Sequence, residues 1–243
     1  RPYAGSARDF VLGMRVVDGR GQDLHFGGKV IKNVAGYDVS RLMVGAFGTL
    51  GVITETAFKV LPKPAAEATL MFQIDEASAI ERMNRWAGQP LPLSATFYDG
   101  ECLYVRLSGA ASAVAAAYKQ LDGSPMQAGA VLWQSVREHA LKQFQSPLPL
   151  WRLSVPSTTP PMQLAGTQVI EWGGALRWLA SDTDAAVIRA AAEKVGGSAI
   201  LFRNGKGATV FHPLKSEIAR LNQGLKATFD PAHILNPGRM QGD

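Results

Sequence analysis

An α+β fold in two lobes follows from three features of the sequence. Strand-like and helix-like apolar patterns alternate between residues 69 and 121, and a Pro62-Lys63-Pro64 connector separates that stretch from what precedes it. The run Gly45-Ala46-Phe47-Gly48-Thr49-Leu50-Gly51-Val52-Ile53-Thr54-Glu55 sets a glycine-rich loop directly before a strand. The alternation is that of an α+β sandwich. Two prolines in three residues make a stiff, extended connector and so a domain boundary. Glycines at 45, 48 and 51 let the backbone take positive φ or lie against a ligand with no Cβ between them. A cofactor floor and a tight turn both fit that spacing.

With 243 residues, 47% apolar and 19% charged, the chain has the composition of a folded protein with one large core or two smaller ones. A formal charge of +5 and a pI near 9.4 suit an anionic ligand, an acidic partner or a membrane surface. The basic residues are scattered rather than clustered, which argues against a nucleic-acid interface. The single Cys102 precludes an intramolecular disulfide and reads as a buried, inert thiol. No apolar run approaches the roughly 18 to 20 residues of a membrane span, and no signal-peptide pattern opens the chain. The expectation is a cytoplasmic protein with at most peripheral association with the inner face of the membrane. The chain opens on Arg1-Pro2-Tyr3 with no Met and no element start, so residues are expected to precede Arg1.

Taken in order, residues 10–17 and 24–26 read as a hairpin about Asp18-Gly19-Arg20-Gly21. Residues 37–44 read as a short helix with Asp38 or Ser40 near its start, and residues 52–61 as a strand ending at the prolines. Beyond them come a strand at 69–74 and a helix at 77–87 with Ile80, Met83 and Ala87 on one face. A hairpin at 95–98 and 103–107 about Asp99-Gly100 follows, then a helix with Val114, Ala117, Tyr118 and Leu121 facing in. That succession is close to a ferredoxin-like sandwich. Ser135-x-x-Glu138 has the form of a capping box for a helix to about residue 144. Residues 150–155 form a strand, and 167–172 with 176–179 a hairpin about Gly173-Gly174 on which Trp172 and Trp178 face each other. Asp182 or Thr183 caps a helix to about 195 with Val187, Ile188 and Ala191 inward, and strands at 199–202 and 208–211 flank Asn204-Gly205-Lys206-Gly207. A last helix begins at Pro213, carries Leu214, Ile218, Leu221 and Leu225 on one stripe, and stops at Asp230-Pro231. No internal repeat is evident.

The chemistry is plain. Lys32 and Asn33, just before Gly36-Tyr37-Asp38, serve equally as contacts to a cofactor phosphate or as loop and cap groups. Asn204-Gly205-Lys206-Gly207 lies between two strands, where a hairpin turn is favoured over a phosphate loop. Histidines 25, 139, 212 and 233 show no metal-ligand spacing; His212 reads as a helix-entry residue, and no nucleophile and base pair stands out.

Three segments carry a family resemblance: Ser6-Ala7-Arg8-Asp9-Phe10-Val11-Leu12-Gly13, then Gly27-Gly28-Lys29-x-x-Lys32-Asn33-x-x-Gly36-Tyr37-Asp38, then Gly48-Thr49-Leu50-Gly51-Val52-Ile53-Thr54. In this order they resemble the FAD-binding domain of the vanillyl-alcohol oxidase/p-cresol methylhydroxylase family. The tail Phe229-Asp230-Pro231-x-x-Ile234-Leu235-Asn236-Pro237-Gly238-Arg239-Met240 is similar to that of the family's hydroxy-acid oxidases, and the resemblance extends to the FAD-binding subunits of glycolate oxidases. It implies the C-terminal lobe of a PCMH-type FAD-binding domain (residues 1–64), a ferredoxin-like α+β cap domain (65–211), and a C-terminal helix and tail (212–243) packing back on the FAD-binding lobe.

The resemblance further implies FAD, extended between two lobes, against Lys32, Asn33, Gly36, Asp38, Gly48, Thr49, Leu50, Gly51, Val52, Ile53 and Thr54. Backbone contacts dominate there, which accounts for the plain chemistry. The implied function is oxidation of a small 2-hydroxy acid, glycolate, to a 2-oxo acid through flavin. The implied partners are a sister flavin subunit and an iron–sulfur subunit. The family's pyrophosphate-cradling lobe is absent from these residues, so the chain alone is expected to hold half an FAD site and to be inactive. Catalytic relatives carry a His-x-Gly-Asp-x-Asn motif whose nearest counterpart here is Arg203-Asn204-Gly205-Lys206-Gly207, so the catalytic residues are unknown. The alternative is a cofactor-free structural or assembly subunit that binds partner subunits.

Overall fold

The computed structural model describes residues 3–28, 38–205 and 209–240. The first half contains α1 (Ala7–Phe10), β1 (Val11–Val17), β2 (Asp23–Gly27), α2 (Val39–Met43), β3 (Val52–Phe58), β4 (Ala66–Gln73), α3 (Glu76–Ala87), β5 (Leu93–Tyr98) and β6 (Cys102–Gly109). The second contains α4 (Ala111–Leu121), β7 (Ser124–Pro125), α5 (Gly129–Arg137), β8 (Leu150–Ser154), β9 (Thr167–Glu171), β10 (Leu176–Ala180), α6 (Ala185–Lys194), β11 (Ser198–Arg203) and α7 (Ser216–Phe229). These divide into a larger unit, Arg1–Ala4 with Lys63–His212, and a smaller one, Gly5–Pro62 with Pro213–Asp243.

The larger unit is built on an eight-stranded sheet in the order β11-β8-β10-β9-β5-β6-β4-β7, with antiparallel pairing throughout. Its two halves have the same order when each is read inward from its outer strand: fourth, first, third, second. In the first half α3 and α4 make the crossovers; in the second, α6 makes one and residues 155–166 replace the other helix. The halves meet at β9 and β5, through only Phe97↔Glu171 and Tyr98↔Ile170. This structural repeat leaves no repeat in the sequence, because a shared strand order demands only matching apolar alternation.

Strand alternation gives the sheet two different faces. Leu103, Val105 and Leu107 of β6 point to one face, under Ile80, Met83 and Trp86 of α3 and Val114 and Ala117 of α4. Further along, Ile188 and Ala192 of α6 cover Trp151, Leu153 and Leu179. On the opposite face α5 sets Leu132, Trp133 and Val136 against Leu150, Val169 and Trp178. Arg177 of β10 is fully buried on the helical face, donating from Nε to Gly174 O (2.8 Å) and from one amino group to Thr159 O (2.6 Å), with Glu76 Oε1 3.4 Å from the other. Burial lowers the Arg177 pKa, opposed by Glu76, and raises that of Glu76, opposed by Arg177.

Several local expectations are overturned by packing. Ser135 lies inside α5 and Glu138 ends it, because the buried stripe Leu132-Trp133-Val136 sets where the helix sits, and Trp133 Nε1 anchors it to Thr69 Oγ1 at 2.9 Å. Trp86, not Ala87, joins Ile80 and Met83 on the buried face of α3. The cap of α6 is Asp184, whose carboxylate accepts the Ala186 N–H at 2.8 Å; Ile188 and Ala192 are inward and Val187 is exposed. Trp178 lies opposite Val169 rather than Trp172, and packs edge-on against His139 and Phe144. No strand forms at 209–211; Leu201 N–H donates to Val210 O at 2.9 Å without a ladder. His212 accepts the Ala199 N–H at Nδ1 and has Glu193 Oε1 3.1 Å from Nε2. Asp184→Ala is expected to cost about 1 kcal/mol, the usual loss for an N-cap. It should show as a lower urea midpoint by tryptophan fluorescence, because α6 packs on Trp151.

In the smaller unit β1 is the middle strand of a sheet ordered β2-β1-β3. The Asp18 carboxylate accepts the N–H groups of Arg20 and Gln22, both at 2.9 Å, and so closes the β1–β2 turn. Residue 10, expected to open the strand, instead ends a short helix over residues 7–10 tied to Asp9, whose carboxylate accepts the Ser6 N–H at 2.7 Å. Val11, Met14 and Val16 are buried with Met43, Ala46 and Leu50, and Leu225 and Phe229 of α7 pack against them. The rest of the expected α7 stripe is not buried: Leu214, Ile218 and Leu221 are exposed.

Candidate functional site

The glycine loop of the smaller unit is shaped by what lies beneath it. Asp38 caps α2, accepting the Arg41 N–H at 3.1 Å and pairing with its guanidinium at 3.1 Å. The chain then turns through Gly45 to Gly51 into β3. Phe47 and Gly48 have φ of +52° and +72°, and a Cβ at Gly48 would lie 2.7 Å from Asn236 Nδ2. Thr49 turns its hydroxyl inward, donating to Ala46 O at 2.7 Å, and Leu50 enters the core. At Gly51 a Cβ would stand 2.3 Å from Val16 Cγ1, so the loop lies flush on β1.

From there the chain surfaces. Val52 and Ile53 are 55% and 45% exposed, and Phe58, Val60 and Leu61 continue the exposed apolar run. Among the described residues β3 pairs with β1 alone, so its outer edge lacks a neighbouring strand. An open apolar edge is ordinarily avoided in a folded chain. A flat, polar-rimmed ring system laid along it would take hydrogen bonds from the backbone and cover Val52 and Ile53. The described residues thus fit one side of a flavin site.

The far end of the chain clamps this loop. Lys226 of α7 donates from Nζ to Thr49 O (2.9 Å), Leu235 O (2.8 Å) and the Asp230 carboxylate. Asp230 is fully buried and accepts the N–H groups of Leu235 (2.8 Å) and Ile234 (3.2 Å). Burial pushes its pKa up, but hydrogen bonds from Lys226 and those two backbone groups outweigh burial and leave it below the usual carboxylate range. Asn236 Nδ2 donates to Phe47 O at 2.7 Å, and the Arg239 guanidinium lies 5.9 Å from the Phe47 ring centre.

Of the residues expected at a cofactor, Lys32, Asn33 and Gly36 fall outside the described residues. Asp38 serves as a helix cap. Gly48, Thr49, Leu50, Gly51, Val52, Ile53 and Thr54 form one continuous segment, of which Gly48, Val52, Ile53 and Thr54 are exposed and Thr49, Leu50 and Gly51 buried. Thr54 donates its hydroxyl to Arg15 O at 3.2 Å. The clamp of Lys226, Asp230 and Asn236 was not foreseen, although an i,i+4 Lys–Asp pair closing the last helix was a visible signal. In the larger unit, Arg203 donates to Phe144 O (2.9 Å), and Asn204 to Ser146 O and Leu148 O (both 3.2 Å). Both side chains tie β11 to the preceding segment.

No family model matches the chain. Two solved structures share its fold. Alkyldihydroxyacetonephosphate synthase matches with a TM-score of 0.58 at 15% identity, over 97% of this chain and 54% of that one. The structure of p-cresol methylhydroxylase with substrate bound matches with a TM-score of 0.56 at 14% identity, over 96% of this chain and 66% of that one. The fold is therefore the α+β architecture of the PCMH-type FAD-binding proteins. More specifically, the chain is 46% identical over all 243 residues to glycolate oxidase subunit GlcE of Escherichia coli strain K12, spanning 68% of that relative, and it belongs to that family. FAD is the cofactor of the proteins so related. Glycolate oxidase subunit GlcD of Bacillus subtilis strain 168 is 40% identical over 103 residues, 42% of this chain and 22% of that protein.

Proposed function

We propose that this chain supplies one wall of an FAD site in an oxidoreductase that converts a small 2-hydroxy acid, glycolate, to the 2-oxo acid. The smaller unit is read as the second lobe of the FAD-binding domain and the larger as the cap. The observation that carries the reading is the exposed strand segment Val52-Ile53-Thr54, issuing from a glycine loop that Lys226 and Asn236 hold by its backbone carbonyls, in a member of a glycolate oxidase subunit family.

Flavin, when bound, supplies two-electron acceptance from the hydroxy acid and onward delivery of the electrons. The chain's own residues then bind and shield: the edge of β3 offers backbone donors and acceptors, Val52 and Ile53 exclude water, and Gly48 and Gly51 keep the loop low. Arg203 and Asn204, the nearest counterpart of the family's catalytic motif, are taken up in hydrogen bonds to Phe144 O, Ser146 O and Leu148 O, so we assign the proton acceptor to a sister flavin subunit, with an iron–sulfur subunit receiving the electrons. Among the described residues no helix is long and apolar enough to cross a membrane. We place the complex in the cytoplasm, at most peripheral to the inner face of the membrane. The exposed stripe Leu214, Ile218 and Leu221 favours a second reading, in which the chain serves chiefly to bind its partners.

Ile53→Lys separates the two. Its side chain is surface-exposed, so folding should be unchanged. If β3 lines the flavin, FAD titration of the full-length protein should show affinity weakened about tenfold, or about 1.4 kcal/mol. Unchanged FAD affinity would contradict the placement.

A further inference from the structure

The sheet face of the larger unit that α5 leaves uncovered is an open trough of about 1170 Å³. Its lining follows from strand alternation: with Leu103, Val105 and Leu107 of β6 directed into the helical core, Arg106 and Ser108 face the other way. Trp133, His139, Arg152, Trp172 and Trp178 line the same trough.

Arg106 is held on two sides and open on the third. Its guanidinium lies 5.4 Å from the Trp133 ring centre, and its Nε donates to Ser94 Oγ at 2.9 Å. Ser94 and Ser108 share a 2.7 Å hydrogen bond, and Ser108 donates to Glu67 Oε1 at 2.7 Å. This chain of hydroxyls across β5, β6 and β4 fixes the guanidinium from its Nε edge. Among the described residues no carboxylate pairs with Arg106, and its terminal amino groups donate to none of them. A stacked, oriented guanidinium with its fork open matches a carboxylate, which takes two parallel hydrogen bonds.

The rest of the trough sets aromatic rings among polar groups, Glu67, Gln134, Arg137 and Glu171 included. Arg152 stacks on Trp172 at 5.1 Å, and Trp178 meets His139 at 4.6 Å. Burial and the neighbouring Arg203 hold the His139 pKa below its ordinary value. A two-carbon acid would leave most of the trough to water. Sites of this size, at or above the roughly 300–1,000 Å³ range of ligand pockets, suit a molecule with a substantial apolar body.

We propose that the trough binds a carboxylate bearing an aromatic or branched apolar body, with Arg106 taking the carboxylate and the tryptophans taking the body. The site lies wholly within the larger unit and does not depend on flavin occupancy.

Calorimetric titration of the full-length protein with 3-phenyllactate tests it, with glycolate and 3-phenylpropanol as comparison ligands and flavin absorbance recorded in parallel. Phenyllactate should bind more tightly than either. Arg106→Met should weaken phenyllactate by about tenfold or more while leaving 3-phenylpropanol unchanged, with Arg106→Lys recovering part of the loss. Ser94→Ala, which removes only the orienting hydroxyl, should weaken phenyllactate by about threefold and keeps the test informative if Arg106→Met does not fold. Absence of saturable phenyllactate binding up to about 10 mM, or equal binding by wild type, Arg106→Met and Ser94→Ala, would overturn the proposal. A flavin spectrum lost or kept in any of these proteins bears on the flavin site alone.

Discussion

Asp230→Ala should destabilise the smaller unit by about 3–5 kcal/mol, the usual cost of removing one partner of a buried ion pair. Asp230 has no exposed surface and receives Lys226 Nζ and the N–H groups of Ile234 and Leu235, while Gly19 N–H donates to the neighbouring Phe229 O at 2.8 Å. Without the carboxylate, Lys226 keeps a charge with no counterion and the 234–235 turn loses its acceptor, so Thr49 and the loop above it are freed. All five tryptophans, 86, 133, 151, 172 and 178, belong to the larger unit. The loss should therefore appear in circular dichroism as an early transition, with the tryptophan fluorescence transition in place. Coincident shifts in both signals would contradict it.

The same carboxylate gives a pH signature. Its folded pKa is depressed, so its stabilisation is present above the unfolded value of about 3.9 and is lost as pH falls through the lower folded value. Glu76 has the opposite sign: its folded pKa is raised, so its contribution is present below the unfolded value of about 4.3 and is lost as pH rises through the folded one. As pH falls below about 4 the Glu76 contribution is already fully in place and constant, so of the two only the Asp230 contribution changes, and the smaller unit loses stability. In Asp230→Asn that acid sensitivity should be reduced.

Arg177→Met should produce the complementary pattern. The guanidinium is fully buried and donates to Gly174 O and Thr159 O beside Glu76, so methionine leaves two carbonyls without donors and a half-buried carboxylate without its cation. The expected cost is about 3 kcal/mol, now in the fluorescence transition, because Arg177 lies in the sheet that carries Trp151 and Trp178. A fluorescence midpoint unchanged within error would show that this arginine is dispensable.

What the sequence made legible was local. The alternation from residue 69 to 121 corresponds to β4, α3, β5, β6 and α4, since each element carries its own periodic apolar face. The glycine loop was legible because its spacing precedes a strand directly. What escaped depends on distant partners. The capping pattern at Ser135 was overridden by the packing of Trp133 on Thr69. The doubled strand order rests on a β9–β5 junction of two residue pairs, too short to leave a pattern. The clamp joins Lys226 to Thr49, and Asn236 to Phe47, across most of the chain, and Arg106 acquires its surroundings only when three strands are side by side.

The central claim is that this chain forms part of a flavin site. Its most direct test is the visible absorption spectrum of the full-length protein, purified and then incubated with FAD and freed of excess. The two visible flavin bands, with FAD released on denaturation, are the predicted result. A protein that stays colourless after incubation, while folded by tryptophan fluorescence and circular dichroism, would contradict it.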